Sequence, residues 1–286
     1  MARKGKMSGE EYRALEEKTV VKANELITRT TFSLTAQQQK IVLYLIGQIK
    51  PSDDDFQEYE FSINEFCRAC GLDRAGGRQY EQVMEVLEAL ADSKIKYQGS
   101  TWIPISKGWQ TLLRWIEKPY INQEDGKIRI RLDRDMRPFL LHLKAHFTQY
   151  ELLWTLQFNG RYTIRLYELA KAHHIDKLHP AEISFTLDYL RERLDAGNYT
   201  RWADLRRRVI DPAIAEINEK SDMRITYTPD KGDHGTKALT VRIEMKDAME
   251  RIKLYDALEK SYGLDQLSLF DKITQDARQR LQAAQE

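Results

Sequence analysis

The sequence predicts a helix-rich α+β fold with two similar domains in tandem and a C-terminal tail. Its 286 residues are enough for two hydrophobic cores. An internal repeat is the second observation: the apolar motif around Tyr44 recurs around Tyr167, and Phe61-Ser62-Ile63 recurs as Phe185-Thr186-Leu187, at offsets of 123 and 124 residues. Matches this short also arise by chance, so the order of helices and strands around them must agree as well.

The composition restricts the classes of protein that fit. With 42% hydrophobic and 31% charged residues, the chain is typical of globular proteins. No apolar run approaches the roughly 20 residues that cross a bilayer, and the basic residues 1–6 precede no signal-peptide core, so we expect a cytoplasmic protein without a membrane partner. A formal net charge of +1 neither favours nor excludes nucleic acid as a partner. Any DNA-binding surface must therefore be sought as a local cluster of basic residues.

The first domain is predicted at residues 20–146, after a flexible N terminus of residues 1–19. Thr35 and Ser62 are typical N-caps for its first two helices. Its helices are expected at residues 35–49, from Ser62 to Cys70, and through Val83, Val86, Leu87 and Leu90. Strand-like segments follow at residues 95–97, 102–105, 112–116 and 127–132, with a polar turn at residues 122–126 joining the last two.

The second domain is predicted at residues 147–246 and repeats this order. Its helices are expected at residues 150–158, 161–174, 185–194 and 201–219, and its strands at residues 224–228 and 238–243. Three helices followed by a hairpin form the winged-helix plan, a helix-turn-helix variant whose third helix can enter the major groove of DNA. The sequence therefore predicts two tandem winged-helix domains.

Positive charge is concentrated at the third helix of the second domain. Residues 191–208 hold six arginines against three acids, a local charge of +3. Charge runs are usually solvated helix faces, but recognition helices contact DNA through their N-terminal half, and arginine suits guanine and phosphate. This position favours DNA binding. The candidate contacts are Tyr199, Thr200, Arg201, Arg206, Arg207 and Arg208, with Lys231 and Lys237 in the hairpin.

The third helix of the first domain carries a different charge pattern. Arg74 and Arg78 at its start suit DNA, but Glu81, Glu85 and Glu88 would repel a phosphate backbone. The second domain is therefore the expected main reader of bases, and the first is expected to make lesser contacts or a protein interface. In the second domain's helix, Pro212 predicts a kink just after the arginines.

Four segments resemble a known family. Residues 204–218 (DLRRRVIDPAIAEIN) resemble the recognition-helix segment of the initiator Rep proteins of iteron plasmids, and residues 223–227 (MRITY) resemble the family's wing strand. Residues 160–169 (GRYTIRLYEL) are similar to the helix that opens its second domain, and residues 20–26 (VVKANEL) to its usual beginning. The resemblance covers residues 20–243.

The resemblance implies a plasmid replication initiator with no cofactor. Such a protein binds direct repeats in double-stranded origin DNA as a monomer, helps to melt the duplex and recruits host replication proteins. As a dimer, held mainly through the first domain, it often represses its own gene. The acidic helix with Glu81 to Glu88 departs from a DNA-facing first domain and leaves that domain's base contacts open.

No catalytic or metal motif stands out, so we do not expect an enzyme. Cys67 and Cys70 form a C-x-x-C without a redox context, and His142 and His146, four residues apart, lack the glutamate of a zincin. A rolling-circle nickase would need a His-hydrophobic-His metal motif, which the sequence lacks. The remaining alternative is a winged-helix transcription repressor without a replication role.

The tail, residues 247–286, has eight acids and six bases and is therefore not a basic DNA arm. A helix is expected at residues 247–262. Beyond it, Gln266-Leu267-Ser268-Leu269-Phe270 resembles the motif by which bacterial replication proteins bind the sliding clamp. The competing interpretation is that Leu267, Leu269 and Phe270 pack the tail onto the protein itself.

Overall fold

The computed structural model describes residues 8–71, 79–97, 99, 103–104, 111–174, 179–233 and 235–262. Its first element, helix α1 (Gly9–Glu16), lies inside the segment expected to be a flexible N terminus. Ser8 and Glu11 form a capping box there, and Tyr12 and Leu15 are buried. The helix therefore begins at a sequence signal, S-x-x-E, that the expectation of a flexible segment overlooked.

The next part of the chain alternates short strands and helices. The strands are β1 (Thr19–Ala23), β2 (Thr30–Thr31), β3 (Tyr59–Ser62), β4 (Ile95–Tyr97), β5 (Thr111–Leu113), β6 (Tyr120–Asn122), β7 (Lys127–Ile130) and β8 (Phe147–Glu151). The helices are α2 (Asn24–Thr28), α3 (Ala36–Ile46), α4 (Ile63–Cys70), α5 (Gln79–Asp92) and α6 (Arg137–Leu140). The strands form antiparallel sheets in the orders β2-β4-β5, β3-β7-β6 and β1-β8.

Local chemistry explains where these helices begin and end. Thr35 accepts a hydrogen bond from the Gln38 backbone at 3.2 Å, and the Gln38 side chain accepts one from Thr35 N–H at 2.9 Å. Helix α4 starts at the Ser62 cap and ends at Gly71, whose φ of 67° favours glycine. The polar turn expected at residues 122–126 joins β6 to β7, and β5 ends at Leu113, two differences from the expected strands.

The following part repeats the helical order and ends in a long hairpin. Its helices are α7 (Leu152–Leu156), α8 (Arg161–His173), α9 (Leu187–Arg193), α10 (Trp202–Leu205) and α11 (Asp211–Lys220). Strands β9 (Ala181–Thr186), β10 (Met223–Gly232) and β11 (Gly235–Met245) form an antiparallel sheet in the order β10-β11-β9. The hairpin is longer than expected because β10 continues through Pro229, which an edge strand tolerates.

A π-helical turn, Arg206–Ile210, lies between α10 and α11. Pro212 is the second residue of α11, and the residues before it are helical too, so it lacks the N–H that a carbonyl of the preceding turn would bond and its ring crowds that turn. The sequence predicts a kink just after the arginines. The structure has an irregular turn there, which contains Arg206, Arg207 and Arg208 and ends directly before Asp211.

The final described helix, α12 (Ala248–Tyr262), confirms the helix expected at residues 247–262. Its Tyr255 ring packs on Trp154 with ring centroids 4.6 Å apart, and Tyr262 packs on Tyr12 at 5.8 Å. The C-terminal helix thus contacts both α7 and α1. No helix in the described ranges is long and apolar enough to span a bilayer.

A buried ionic cluster connects β1 to α8. Glu168 pairs with Lys22, lies 3.5 Å from Arg165 Nη1 and accepts a hydrogen bond from the Tyr150 hydroxyl; all four side chains are buried. Burial alone would raise the pKa of Glu168, but the charges of Lys22 and Arg165 lower it. The carboxylate therefore stays ionised and supplies the negative charge that both buried cations require.

Replacing Glu168 by alanine should destabilise the protein by about 3–5 kcal/mol, because two buried cations would lose their counter-ion. Denaturant unfolding of the full chain measures this loss. The control is Glu219→Ala, which removes an exposed carboxylate and should change the unfolding free energy by less than about 0.5 kcal/mol. Equal effects of the two variants would contradict the assigned role of the cluster.

Candidate nucleic-acid interface

The predicted DNA-binding arginines of α10 and the π-helical turn lie on the protein surface. Arg206 is 54% exposed and Arg207 is 70% exposed, and Arg201 and Arg208 are exposed as well. Leu205, Val209 and Ile210 are buried on the opposite side. The apolar residues therefore anchor this segment in the core, and the guanidinium groups extend outward.

Ion pairs on this surface are few and weak. Arg206 Nε lies 3.5 Å from Asp211, and Arg207 Nη2 lies 3.4 Å from Asp204. Such exposed pairs contribute about 0–1 kcal/mol, so DNA phosphate can replace these carboxylates at little cost. Asp211 also accepts a 2.5 Å hydrogen bond from Tyr227; burial and this bond raise the pKa of Tyr227 to about 12.

The loop that leads into α10 is held by Arg191. Its Nε donates to Tyr199 O at 3.0 Å, its Nη2 donates to Thr200 O at 2.8 Å, and its Nη1 pairs with Asp188 at 2.8 Å. Thr200 is exposed, whereas Tyr199 is half-buried against Tyr162. Arg191 is therefore a structural member of the arginine-rich stretch, which its charge alone did not indicate.

The hairpin is fixed to the same helical segment. The Asn218 side chain exchanges two hydrogen bonds with the Ile225 backbone, at 2.9 and 2.7 Å, and Trp202 packs edge-on against Tyr227 with centroids 6.3 Å apart. Lys231 on β10 and Lys237 on β11 are exposed near the hairpin tip. Helix and hairpin therefore form one unit that carries the second domain's candidate contacts.

Glu216 on α11 supplies a cap that sequence reasoning did not find. Its carboxylate accepts hydrogen bonds from the backbone N–H groups of Asn159 at 2.8 Å and Gly160 at 3.1 Å, next to the start of α8, and from Lys220 at 2.8 Å. A Cβ on Gly160 would lie 2.4 Å from Thr163 Oγ1, so a larger residue would displace the Thr163 side chain. Burial opposes ionisation, but the bonds from Lys220 and the two amides lower the pKa of Glu216.

The first domain presents its acidic helix face as expected. Glu81, Glu85 and Glu88 are exposed on α5, while Val83 and Leu87 are buried. Positions three and four apart share a helix face, so the three carboxylates form one acidic strip. Arg74 and Arg78 lie outside the described residues, as do Gln266, Leu267, Ser268, Leu269 and Phe270.

The cysteine and histidine pairs do not form a site in the described part of the chain. Cys67 and Cys70 are buried and form no disulfide, and burial raises the pKa of Cys70. His142 and His146 have φ values of 53° and 54° and lie outside helices, so their spacing does not place them on one helix face. Within the described ranges, no group of three or more His, Cys, Asp or Glu residues could hold a metal ion.

Three helices followed by a hairpin, with arginines on the third helical segment, define a winged-helix protein. Residues 19–171 match the family described as "Initiator Replication protein, WH1", and residues 186–243 match "Initiator Rep protein, WH2". The two matches cover most of the chain, which therefore belongs to the initiator replication protein family. The predicted fold of two tandem winged-helix domains is confirmed.

One solved structure similar to this chain is described as "Crystal structure of Pi initiator protein in complex with iteron DNA". The two chains are 19% identical, and the match covers 81% of this chain and 99% of that chain with a TM-score of 0.65. At this identity the likeness shows a shared fold. The first family match extends through most of α8, so the domain division expected between residues 146 and 147 stays a prediction.

The cap formed by Glu216 predicts a pH-dependent contribution to stability. Because folding lowers its pKa, Glu216 stabilises the protein above the unfolded-state pKa, and this contribution is lost as pH falls through the folded-state pKa. The stability difference between wild type and Glu216→Gln should be largest near pH 7 and shrink below about pH 4.5. Urea unfolding at several pH values measures it, and a pH-independent difference would contradict the ionised cap.

Proposed function

We propose that this protein is a plasmid replication initiator that binds repeated sites in double-stranded origin DNA, promotes origin opening and recruits host replication proteins. The observation that carries the proposal is the exposed arginine segment, Arg206 to Arg208, anchored to a hairpin in the second winged-helix domain of this family. A member of the same fold has been crystallised with iteron DNA, which supports this substrate class.

The chemistry of the arginine segment suits both groups that DNA presents. A guanidinium can donate two hydrogen bonds to the O6 and N7 atoms of guanine or to two phosphate oxygens. Arg201, Arg206, Arg207 and Arg208 are the proposed main contacts, with Thr200 and Tyr199 beside them. Lys231 and Lys237 on the hairpin are proposed phosphate contacts, because an ammonium group acts as a point charge.

The two domains are proposed to have different roles in DNA binding. The acidic strip of Glu81, Glu85 and Glu88 disfavours close approach of phosphate, so the first domain makes minor DNA contacts and holds a dimer. In this proposal the monomer binds the repeated origin sites, and the dimer represses the protein's own gene. The arrangement of sites beside the gene separates an initiator from a plain repressor: tandem repeats favour the first, a lone inverted repeat the second.

Single alanine substitutions at Arg206, Arg207 and Arg208 should weaken DNA binding. Loss of a phosphate contact should reduce the slope of log K against log [salt] by about 0.9, whereas loss of a base contact should cost about 1–3 kcal/mol at one position of the site. Fluorescence anisotropy with origin DNA at several salt concentrations measures both. Arg13→Ala, which removes an exposed arginine of α1, is the matched control. If a variant with all three arginines replaced by alanine folds and binds DNA normally, these arginines are not the DNA contacts.

Two winged helices on one duplex should protect two patches about one helical turn, or roughly 10 base pairs, apart. Hydroxyl-radical footprinting of the full chain on a single repeat measures the spacing. A single protected patch that disappears when Arg206, Arg207 and Arg208 are all replaced by alanine would show that the first domain does not bind this DNA. Its α5 face would then be assigned to protein contacts.

The segment Gln266 to Phe270 is proposed to bind the bacterial sliding clamp. It follows α12 in the sequence, and in this proposal Leu269 and Phe270 enter an apolar pocket while the Gln266 amide fixes the register. Calorimetry of a peptide spanning residues 264–273 with purified clamp should give micromolar affinity, about −8 kcal/mol. The control peptide carries Leu269→Ala and Phe270→Ala and should not bind. Equal binding heats for the two peptides, or no heat for either, would favour the interpretation that the tail packs on the protein itself.

A further inference from the structure

A cleft between the two winged-helix domains is lined by charged and polar side chains. Thr28 and Arg29, from the first domain, form one side, and Tyr189 and Arg193, from the second, form the other; among the described residues Gly99 also lines the cleft. The cavity volume is about 340 Å³, within the range of small-ligand sites. The Tyr189 hydroxyl donates to Thr28 O at 3.4 Å and so joins the two sides.

The Arg193 guanidinium has N–H groups that no described residue accepts a hydrogen bond from. Its side chain is only 9% exposed, and its Nη2 pairs with Glu192. Its Nε and Nη1 are buried and have no hydrogen-bond partner among the described residues. Buried donors without acceptors are costly, so an anion in the cleft would gain hydrogen bonds that the protein itself does not provide.

The charge of the cleft favours an anion. Arg29 is exposed at the end of α2, and the Arg193 guanidinium lies 5.6 Å from the centre of the Tyr189 ring. Glu192 pairs with Arg193, and its side chain is half-exposed, so it can turn into solvent when a ligand replaces it. Arg193 is held in place through its backbone, since its carbonyl accepts a 3.2 Å hydrogen bond from Arg165 Nε.

We propose that this cleft binds a phosphate group through Arg29 and Arg193. Two guanidinium forks match the several oxygens of a phosphate. Arg193 must rotate on binding, because its Nε and Nη1 are buried in this structure. The phosphate comes either from a free nucleotide or from the DNA backbone where it passes between the domains; the second source rests on the proposed function. Because both domains line the cleft, the bound phosphate stabilises one relative position of the domains.

The first measurement tests the free-phosphate source. Full-length protein is titrated with ATP, pyrophosphate and inorganic phosphate by calorimetry, with Arg29→Ala, Arg193→Lys and Arg13→Ala as variants. Arg29 and Arg13 are both exposed arginines, so Arg13→Ala is the matched control for lost surface charge. Saturable binding that Arg29→Ala weakens at least tenfold, and Arg13→Ala leaves unchanged, supports a nucleotide or phosphate ligand.

The second measurement tests the backbone source. With origin DNA, Arg29→Ala should reduce the salt slope by about 0.9, and a neutral methylphosphonate at the contacted position should abolish the difference between Arg29→Ala and wild type. Absence of an effect in both measurements, in variants whose unfolding matches wild type, overturns the proposal. Failure of wild type to bind origin DNA would instead refute the proposed function. The free-phosphate measurement would still show whether the cleft binds a phosphate group.

Discussion

The carboxylate of Glu168 is the interaction that holds β1, α8 and, through Arg165, α9 together. It is buried, so it requires positive charge supplied from within the protein, and Lys22 of β1 and Arg165 of α8 provide it. Arg165 then reaches further, donating to Ile27 O at 3.1 Å and to Arg193 O at 3.2 Å, and it stacks over Phe32. One ionised group thereby fixes α8 against both the start of the first domain and helix α9 of the second.

Sequence patterns predicted the elements whose causes are local. Thr35 with Gln38, Ser62 and the apolar stripe of α5 each act within a few residues, and the structure has helices where they indicate. The outward direction of Arg206 to Arg208 followed from the apolar residues beside them. The functions of other arginines depend on partners distant in sequence: Arg165 and Arg191 have the same charge as the DNA candidates but bind backbone carbonyls. Charge in a sequence does not show which acceptor is near.

The π-helical turn explains how three consecutive arginines fit one surface. Successive residues of an α-helix are separated by about 100°, so three in a row occupy more than half of its circumference. The wider turn, Arg206–Ile210, keeps Leu205, Val209 and Ile210 buried while all three arginines stay exposed. The sequence indicated an irregularity through Pro212, which disturbs the helical turn before it, but it could not show that the irregularity takes the form of a π-turn.

Helix α12 leaves the hairpin and packs on two helices distant in sequence, where Tyr262 meets Tyr12 of α1 and Tyr255 meets Trp154 of α7. Helices α1 and α12 both lie outside the two family matches. A truncation at residue 246 would therefore leave the winged-helix domains in place but expose aromatic rings of α1 and α7 that α12 now covers.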